Sequence, residues 1–255
     1  MVFSNLLYKI YEGRLNRQLD GLPRPQHIGV MIDGNRRWAR EMGLADPSDG
    51  HRAGAKHVKN LLAWSEEVGI DHVTIYLLST ENLSRPESEV QPLLDIIVRL
   101  ASELAEPDQP WKLKMVGALD QLDNRHARQL KNVEESTAHK SGVKVNLAIC
   151  YGGKQEIADA VRSYLCEQAD RGRDLADVAS DIDVEAIADH LYTTGQPDPD
   201  LIIRTSGEQR ISGFLLWQSA YSEFYFCDTN WPGFRRVDFL RAMRSFATRN
   251  RRYGK

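Results

Sequence analysis

The sequence predicts an α/β fold: a single domain in which a central, mainly parallel sheet of about six strands is flanked by helices. Three observations carry that prediction. Apolar runs of strand length recur at 28–32, 73–78, 113–116, 143–149, 201–203 and 224–227. Most are separated by amphipathic segments long enough for helices, at 51–68, 87–105, 119–140 and 154–168, and strands alternating with helices pair in parallel with both faces covered. No internal repeat, low-complexity tract or linker interrupts the 255 residues. The span 1–255 therefore reads as one domain, with an N-terminal helical segment over 1–26 and a basic tail over 235–255.

The first segment carries Phe3, Leu6, Leu7, Ile10 and Tyr11 at helical spacing, with Lys9, Arg14 and Arg17 nearby. It could lie as a peripheral contact on the inner face of the cell membrane or pack on the domain, and packing is the better reading. No run approaches transmembrane length and the N-terminus lacks a signal-peptide pattern. Cys150, Cys166 and Cys227 lie far apart without metal-ligand spacing and read as buried thiols of a reducing compartment, which points to the cytoplasm. A hydrophobic content of 42% with 27% charged residues is that of a soluble globular chain. The net charge of −3 gives no reason to expect a nucleic acid.

The first strand ends abruptly at Asp33-Gly34-Asn35, and Arg36, Arg37 and Trp38 then open a helix. Ligands of open α/β sheets sit at the carboxyl ends of strands, where a helix N-terminus offers free N–H groups to a phosphate. Asp33 would repel such a ligand unless a hard cation such as Mg²⁺ accepted oxygens from both. The plainer alternative is a turn in which Asp33 caps the helix and Gly34 permits the bend. His51, within Gly50-His51-Arg52-Ala53-Gly54, could cap a helix or meet phosphate. The second strand runs into Ser79-Thr80-Glu81-Asn82-Leu83-Ser84-Arg85-Pro86, and the helix over 87–105 presents a wide apolar stripe. The fifth strand runs into a loop with Arg204, Arg210, Ile211 and Ser212, whose guanidinium forks and hydroxyl suit phosphate oxygens. Glu223 is a carboxylate at the edge of the last run. Singly, each cluster has an ordinary explanation, such as an Arg204–Glu208 pair or a turn bond at Asn82. Together, Asp33, Arg37, Arg85, Arg204, Arg210 and Ser212 would gather at one end of the sheet, with enough basic groups for two anions. The tail holds Arg235, Arg236, Arg241, Arg244, Arg249, Arg251, Arg252 and Lys255 against one acid, Asp238, whereas 174–200 is acidic. It could meet phosphates or a partner subunit, although a solvated helix face explains the charge alone.

Five motifs in order resemble the signatures of the cis-prenyltransferases, the undecaprenyl diphosphate synthase-like enzymes: Asp33-Gly34-Asn35-Arg36-Arg37-Trp38-Ala39, Gly50–Gly54, Ser79–Pro86, Asn146-Leu147-Ala148-Ile149-Cys150-Tyr151-Gly152-Gly153 and 203–212. The likeness runs from His27 to Arg252-Tyr253-Gly254. It implies an undecaprenyl diphosphate synthase-like fold, a homodimer, Mg²⁺, and condensation of isopentenyl diphosphate with an allylic diphosphate to give a Z double bond. It also implies roles. Asp33 would handle Mg²⁺ and the allylic diphosphate, held by Gly34, Asn35, Arg36, Arg37 and Trp38 with help from His51. Arg204, Arg210, Ile211 and Ser212 would hold isopentenyl diphosphate, and Glu223 would help bind the metal. Asn82 with Ser79 would assist proton removal, Thr80, Glu81 and Arg85 would border the substrates, and the tail motif would reach across the dimer.

Several departures stand out. Arg36 replaces a common second glycine, the segment 44–49 lacks an arginine that many members carry, Leu78 and Leu83 replace frequent aromatics, and the 87–105 region is slightly short. Leu77 stands where long-chain members often have alanine. A bulky residue in the wall of the product tunnel stops elongation, so a C15 product such as Z-farnesyl diphosphate, made from geranyl diphosphate, is expected over a medium or long polyprenyl diphosphate. A non-catalytic subunit should have lost the carboxylate or the arginine clamp, and both are present. A generic nucleotide-binding module is disfavoured because no Walker-type loop or dinucleotide fingerprint occurs.

Overall fold

Strand β1, His27–Met31, is buried along its whole length and organises the sheet. The computed structural model describes residues 2–249, with the side chains of residues 2–7 and 9 outside the description. β1 lies between β2 (His72–Ser79) and β5 (Leu201–Arg204), with β4 (Lys144–Tyr151) and β3 (Lys112–Val116) beyond β2 and β6 (Glu223–Phe226) beyond β5. Every pairing is parallel, so the expected mainly parallel sheet is wholly parallel among the described residues. Parallel neighbours require crossovers, and these supply helices for both faces.

The helices are α1 (Val2–Leu19), α2 (Asn35–Glu41), α3 (Pro47–Glu67), α4 (Glu87–Leu104), α5 (Asn124–Ser136), α6 (Gly153–Asp170), α7 (Leu175–Asp181), α8 (Val184–Ala188) and α9 (Arg236–Ala247). α3 starts earlier than its apolar periodicity because Asp46 caps it, its carboxylate accepting from the Ser48 N–H at 2.8 Å, with Pro47 at the first position. The expected helix over 119–140 is divided. Asp123 accepts from the N–H groups of Arg125 and His126 and so starts a fresh helix after a 3-10 turn over Leu119–Gln121.

The larger core cluster packs Ile28, Val30, Val73 and Ile75 against Leu61, Leu62, Leu94, Ile97 and Phe239. The smaller one gathers Met31, Ala148, Tyr151, Ile202, Phe214 and Leu215. α1 packs on α9, burying Leu15 and Leu19, and the guanidinium groups of Arg235 and Arg241 lie over the rings of Tyr8 and Tyr11 at 4.4 and 5.2 Å. Packing is thus the arrangement that the N-terminal segment adopts. Among the described basic residues after β6, Arg236 pairs with Glu12 and Glu67 and Arg241 with Asp238. The tail from Arg251 to Lys255, including the Arg252-Tyr253-Gly254 motif, lies outside the described residues, as do the side chains of Phe3, Leu6, Leu7 and Lys9. Of the three free cysteines, Cys150 and Cys227 are buried, whereas Cys166 is exposed on α6. No described helix is long and apolar enough to cross a membrane.

Candidate active site

The loops that follow β1, β2, β4 and β5 enclose a cavity of about 1060 Å³ at the carboxyl edge of the sheet. Asp33, Gly34, Asn35, Arg36, Arg37, His51, Leu77, Ser79, Thr80, Glu81, Asn82, Arg85, Arg204, Arg210 and Ser212 all line it. Fifteen of the expected site residues, dispersed over most of the chain, are therefore brought together. Their neighbours Arg40, Lys154 and Gln155 also line it, none of them singled out from sequence, as does Glu208. Seven cationic side chains face three carboxylates, Asp33, Glu81 and Glu208, which leaves a strongly positive surround for an anion.

Asp33 is fixed by its neighbours. Its Oδ1 accepts from the Gly34 N–H at 2.7 Å and its Oδ2 from Arg204 Nη2 at 2.9 Å. Its own carbonyl accepts from the Thr205 hydroxyl at 2.7 Å and the Trp231 N–H at 2.9 Å. Burial alone would raise the Asp33 pKa, but the Arg204 guanidinium and the Gly34 N–H outweigh it and hold the carboxyl below its ordinary value. Gly34 adopts φ 96°, and a Cβ there would run into Asn230 and Ser206, so glycine is required on both counts. The next residues open α2, and Arg36 takes ordinary helical geometry, so replacing a common glycine leaves the turn intact. Asn35 turns inward, donating to the Ile32 carbonyl at 2.9 Å and packing on Gly54.

Arg204 is almost wholly buried. Its Nη1 donates to the Arg210 carbonyl and, at 3.1 Å, to the Ser212 hydroxyl, so the fork spans the Asp33 turn and the 204–213 loop. The Arg204–Glu208 pair, the ordinary alternative for this loop, does not form. Glu208 instead pairs with Arg37 at 3.1 Å and with Arg210, and the Arg210 and Arg37 charges lower its pKa. Arg37 also donates to the carbonyl and hydroxyl of Ser206 at 3.1 and 3.0 Å. Ser206 and Ser212 hold left-handed backbone with φ 76° and 46°, as backbone strain often does at ligand loops.

The second strand supplies the apolar wall. β2 and β4 slip register at Leu77 and again at Cys150, the latter with φ 51°. A bulge re-aims side chains, and here Tyr76, Leu77 and Leu78 all line the cavity, with Leu93, Ile96, Ile97 and Leu100 of α4 completing the wall. At the polar rim, Ser79 accepts from the Asn82 N–H at 3.2 Å. His51 is half-buried, and burial followed by the Arg36 and Arg85 charges lowers its pKa to about 4.

Three expected residues lie elsewhere. Trp38 lies near Gly233, and neither it nor Ile211 lines the cavity. Glu223 opens β6 level with Leu201, whereas Arg204 lies level with Phe226, so Glu223 stands at the opposite end of the strands and pairs with Arg249 at 2.5 Å. Within one chain it is not brought to Asp33, because a residue that begins a parallel strand faces away from the carboxyl edge. Among the described residues no cluster of three or more His, Cys, Asp or Glu could hold a metal. Asp33 by itself still fits a hard cation, which commonly takes one carboxylate and draws its remaining oxygens from phosphates and water.

A family model described as "Putative undecaprenyl diphosphate synthase" matches residues 31–254. The chain belongs to the cis-prenyltransferase family. It is 54% identical over 250 residues to isoprenyl transferase 1 of Corynebacterium efficiens, covering 98% of each chain. It is also 54% identical over 248 residues to the (2Z,6E)-farnesyl diphosphate synthase of Thermobifida fusca, covering 97% of each. Lavandulyl diphosphate synthase from Lavandula x intermedia, solved with dimethylallyl diphosphate, superposes with a TM-score of 0.83 at 33% identity, covering 91% of this chain and 99% of its own. This prenyltransferase thus carries the family's fold, and residues of the five motifs line one cavity.

In this prenyltransferase His51 is neutral at pH 7, because protonation would oppose two guanidinium charges in a partly dry site. An NMR titration should place the His51 midpoint near 4 in the free protein. Inorganic diphosphate, by bringing negative charge beside Arg36 and Arg85, should move it upward. A midpoint near 6.5 in the free protein would overturn this account.

Proposed function

We propose that this prenyltransferase joins isopentenyl diphosphate to an allylic diphosphate, with geranyl diphosphate as primer and Z-farnesyl diphosphate as product. The observation that carries this reading is the joining of two arginine-bearing loops around one cavity with an apolar wall. An alkyl diphosphate carries about three negative charges near neutrality, and two of them exceed the cavity's positive balance, which leaves room for a divalent cation.

Asp33 would hold Mg²⁺, which supplies charge neutralisation for the departing diphosphate. Arg36, Arg37 and the N–H groups at the start of α2 bind the allylic diphosphate, and Arg204, Arg210 and Ser212 bind that of isopentenyl diphosphate. The allylic C–O bond breaks, the isopentenyl double bond forms the new C–C bond at the cationic carbon, and a proton leaves C2. Diphosphate is the leaving group. Asn82, held against Ser79, orients the deprotonation, since an amide is too weak a base to take the proton and the released diphosphate is the acceptor. Holding both diphosphates on rigid loops turns the encounter into a nearly intramolecular step.

The short product rests on Leu77. It lines the same cavity as Leu93 and Ile97, and on this reading it limits the depth open to a growing chain. The T. fusca relative, a (2Z,6E)-farnesyl diphosphate synthase by name, supports the same length.

A homodimer is favoured by β6, an edge strand whose Phe226 is 38% exposed and whose neighbour Tyr221 is 78% exposed. In a dimer, Glu223 and the tail could serve the other subunit's site. Sedimentation should give twice the chain mass, and Phe226→Arg should yield monomers; a parent that sediments as a monomer refutes the dimer.

Incubation with labelled isopentenyl diphosphate, Mg²⁺ and dimethylallyl, geranyl or farnesyl diphosphate tests the reaction. Geranyl diphosphate should give a C15 Z product, and chelation should stop it. Asp33→Ala should lower turnover by about a thousandfold while the protein stays folded. Equal rates in parent and Asp33→Ala would sink the assignment. Leu77→Ala should lengthen the product by one or more isoprene units on chromatography; unchanged length would remove Leu77 as the floor.

A further inference from the structure

The segment that follows β6, residues 227–231, contributes no lining to the cavity yet is bonded to both loops that frame it. Toward the 204–213 loop, Cys227 donates to the Arg204 carbonyl at 2.8 Å and accepts from the Gly207 N–H at 2.9 Å, while the Thr229 carbonyl accepts from the Ser206 N–H at 2.8 Å. Toward the Asp33 turn, the Trp231 N–H donates to the Asp33 carbonyl at 2.9 Å, and its indole N–H donates to the Gly54 carbonyl of α3 at 2.8 Å. These bonds use main chain on at least one side. Asn230 adds a side-chain bond pair. Its Nδ2 donates to both oxygens of Glu41 at 2.9 and 3.0 Å, at the last residue of α2, and its Oδ1 lies against Gly34, just before the first.

α2 has seven residues, too few to hold itself by helical bonds alone. On its cavity side it is tethered by Arg36 to Glu89 and by Arg37 to Glu208 and Ser206. An entering diphosphate competes for those same guanidinium groups. The Asn230–Glu41 bond involves no residue that lines the cavity, so it persists while the cavity-side tethers are exchanged.

We propose that Asn230 is a positioning residue for this reaction: by bonding the last residue of α2 while its Oδ1 abuts the Gly34 turn before the first, it fixes where Asp33 and Arg37 stand relative to Arg204 and Ser212. The inference rests on the two-diphosphate reading above. It requires an amide. A carboxylate at 230 would face Glu41, and an apolar side chain would leave Glu41 without its donor.

Asn230→Leu, Glu41→Ala and the double variant test it. Steady-state rates, calorimetric affinity for inorganic diphosphate with Mg²⁺, and thermal midpoints are read for each. Asn230→Leu should lower kcat by about tenfold or more, because small displacements of reacting groups are costly. The affinity for inorganic diphosphate, which needs only one clamp, should stay at the parental value, with the melting temperature within about 3 °C. Glu41→Ala, at an exposed position, should reproduce the loss and carries the test if Asn230→Leu does not fold. The double variant should be no worse than the poorer single, as for two members of one interaction. Parental kcat in Glu41→Ala, or turnover that falls only in step with the folded fraction, would overturn the proposal. A parent without turnover would refute the transferase reading and the proposal with it, whereas an active parent with unaffected variants refutes the proposal alone.

Discussion

The parallel direction of all six strands is the constraint from which the site follows. Each strand must be reached by a chain that crosses a face of the sheet, so every strand ends at the same edge. Asp33 and Arg204, distant in sequence, end neighbouring strands β1 and β5 and come within 2.9 Å for that reason. The same rule places Glu223, at the start of β6, away from Asp33 within one chain. Position along a parallel strand therefore decides which polar residues can cooperate, before any question of side-chain type.

Placing so many arginines at one edge creates an electrostatic problem within the protein itself. Arg204 is nearly buried, and a buried guanidinium is costly unless its hydrogens and charge are matched. Asp33, the Arg210 carbonyl and the Ser212 hydroxyl match its two Nη groups, whereas its buried Nε has no partner among the described residues. Glu208 serves Arg37 and Arg210 in the same way. The resting ion pairs thus cross between the two clamps, and the loop backbone is held in left-handed conformations at Ser206 and Ser212 to present these groups.

Much of this was legible in the sequence. The apolar runs located all six strands within a residue or two, and for central strands such as β1 and β5 the reason is that burial on both faces leaves a continuous apolar run. The clusters at Asp33, Asn82 and Arg204 were legible because polar residues gather where such runs stop. Leu77 was legible as a bulky residue, but the register slip that accompanies its place in the cavity wall was not, since a bulge depends on the pairing of β2 with β4 and leaves no local pattern. The partners of Arg204 and Glu208 were equally hidden, because ion pairing is decided by three-dimensional proximity and the sequence-adjacent choice lost. Asn230 left no signal at all. Its importance comes from α2, 189 residues earlier in the chain.

The crossed carboxylates also decide what the cavity ignores. A ligand enters only by offering the arginines more than Asp33 and Glu208 already offer them. Under the two-diphosphate reading, a single phosphoryl group offers the arginines only one set of oxygens in exchange for two carboxylates. A diphosphate brings two linked groups that can engage a pair of guanidinium forks at once, and it can carry its own cation to Asp33. On the proposed reading, the protein's own carboxylates act as the competitor that a diphosphate must displace.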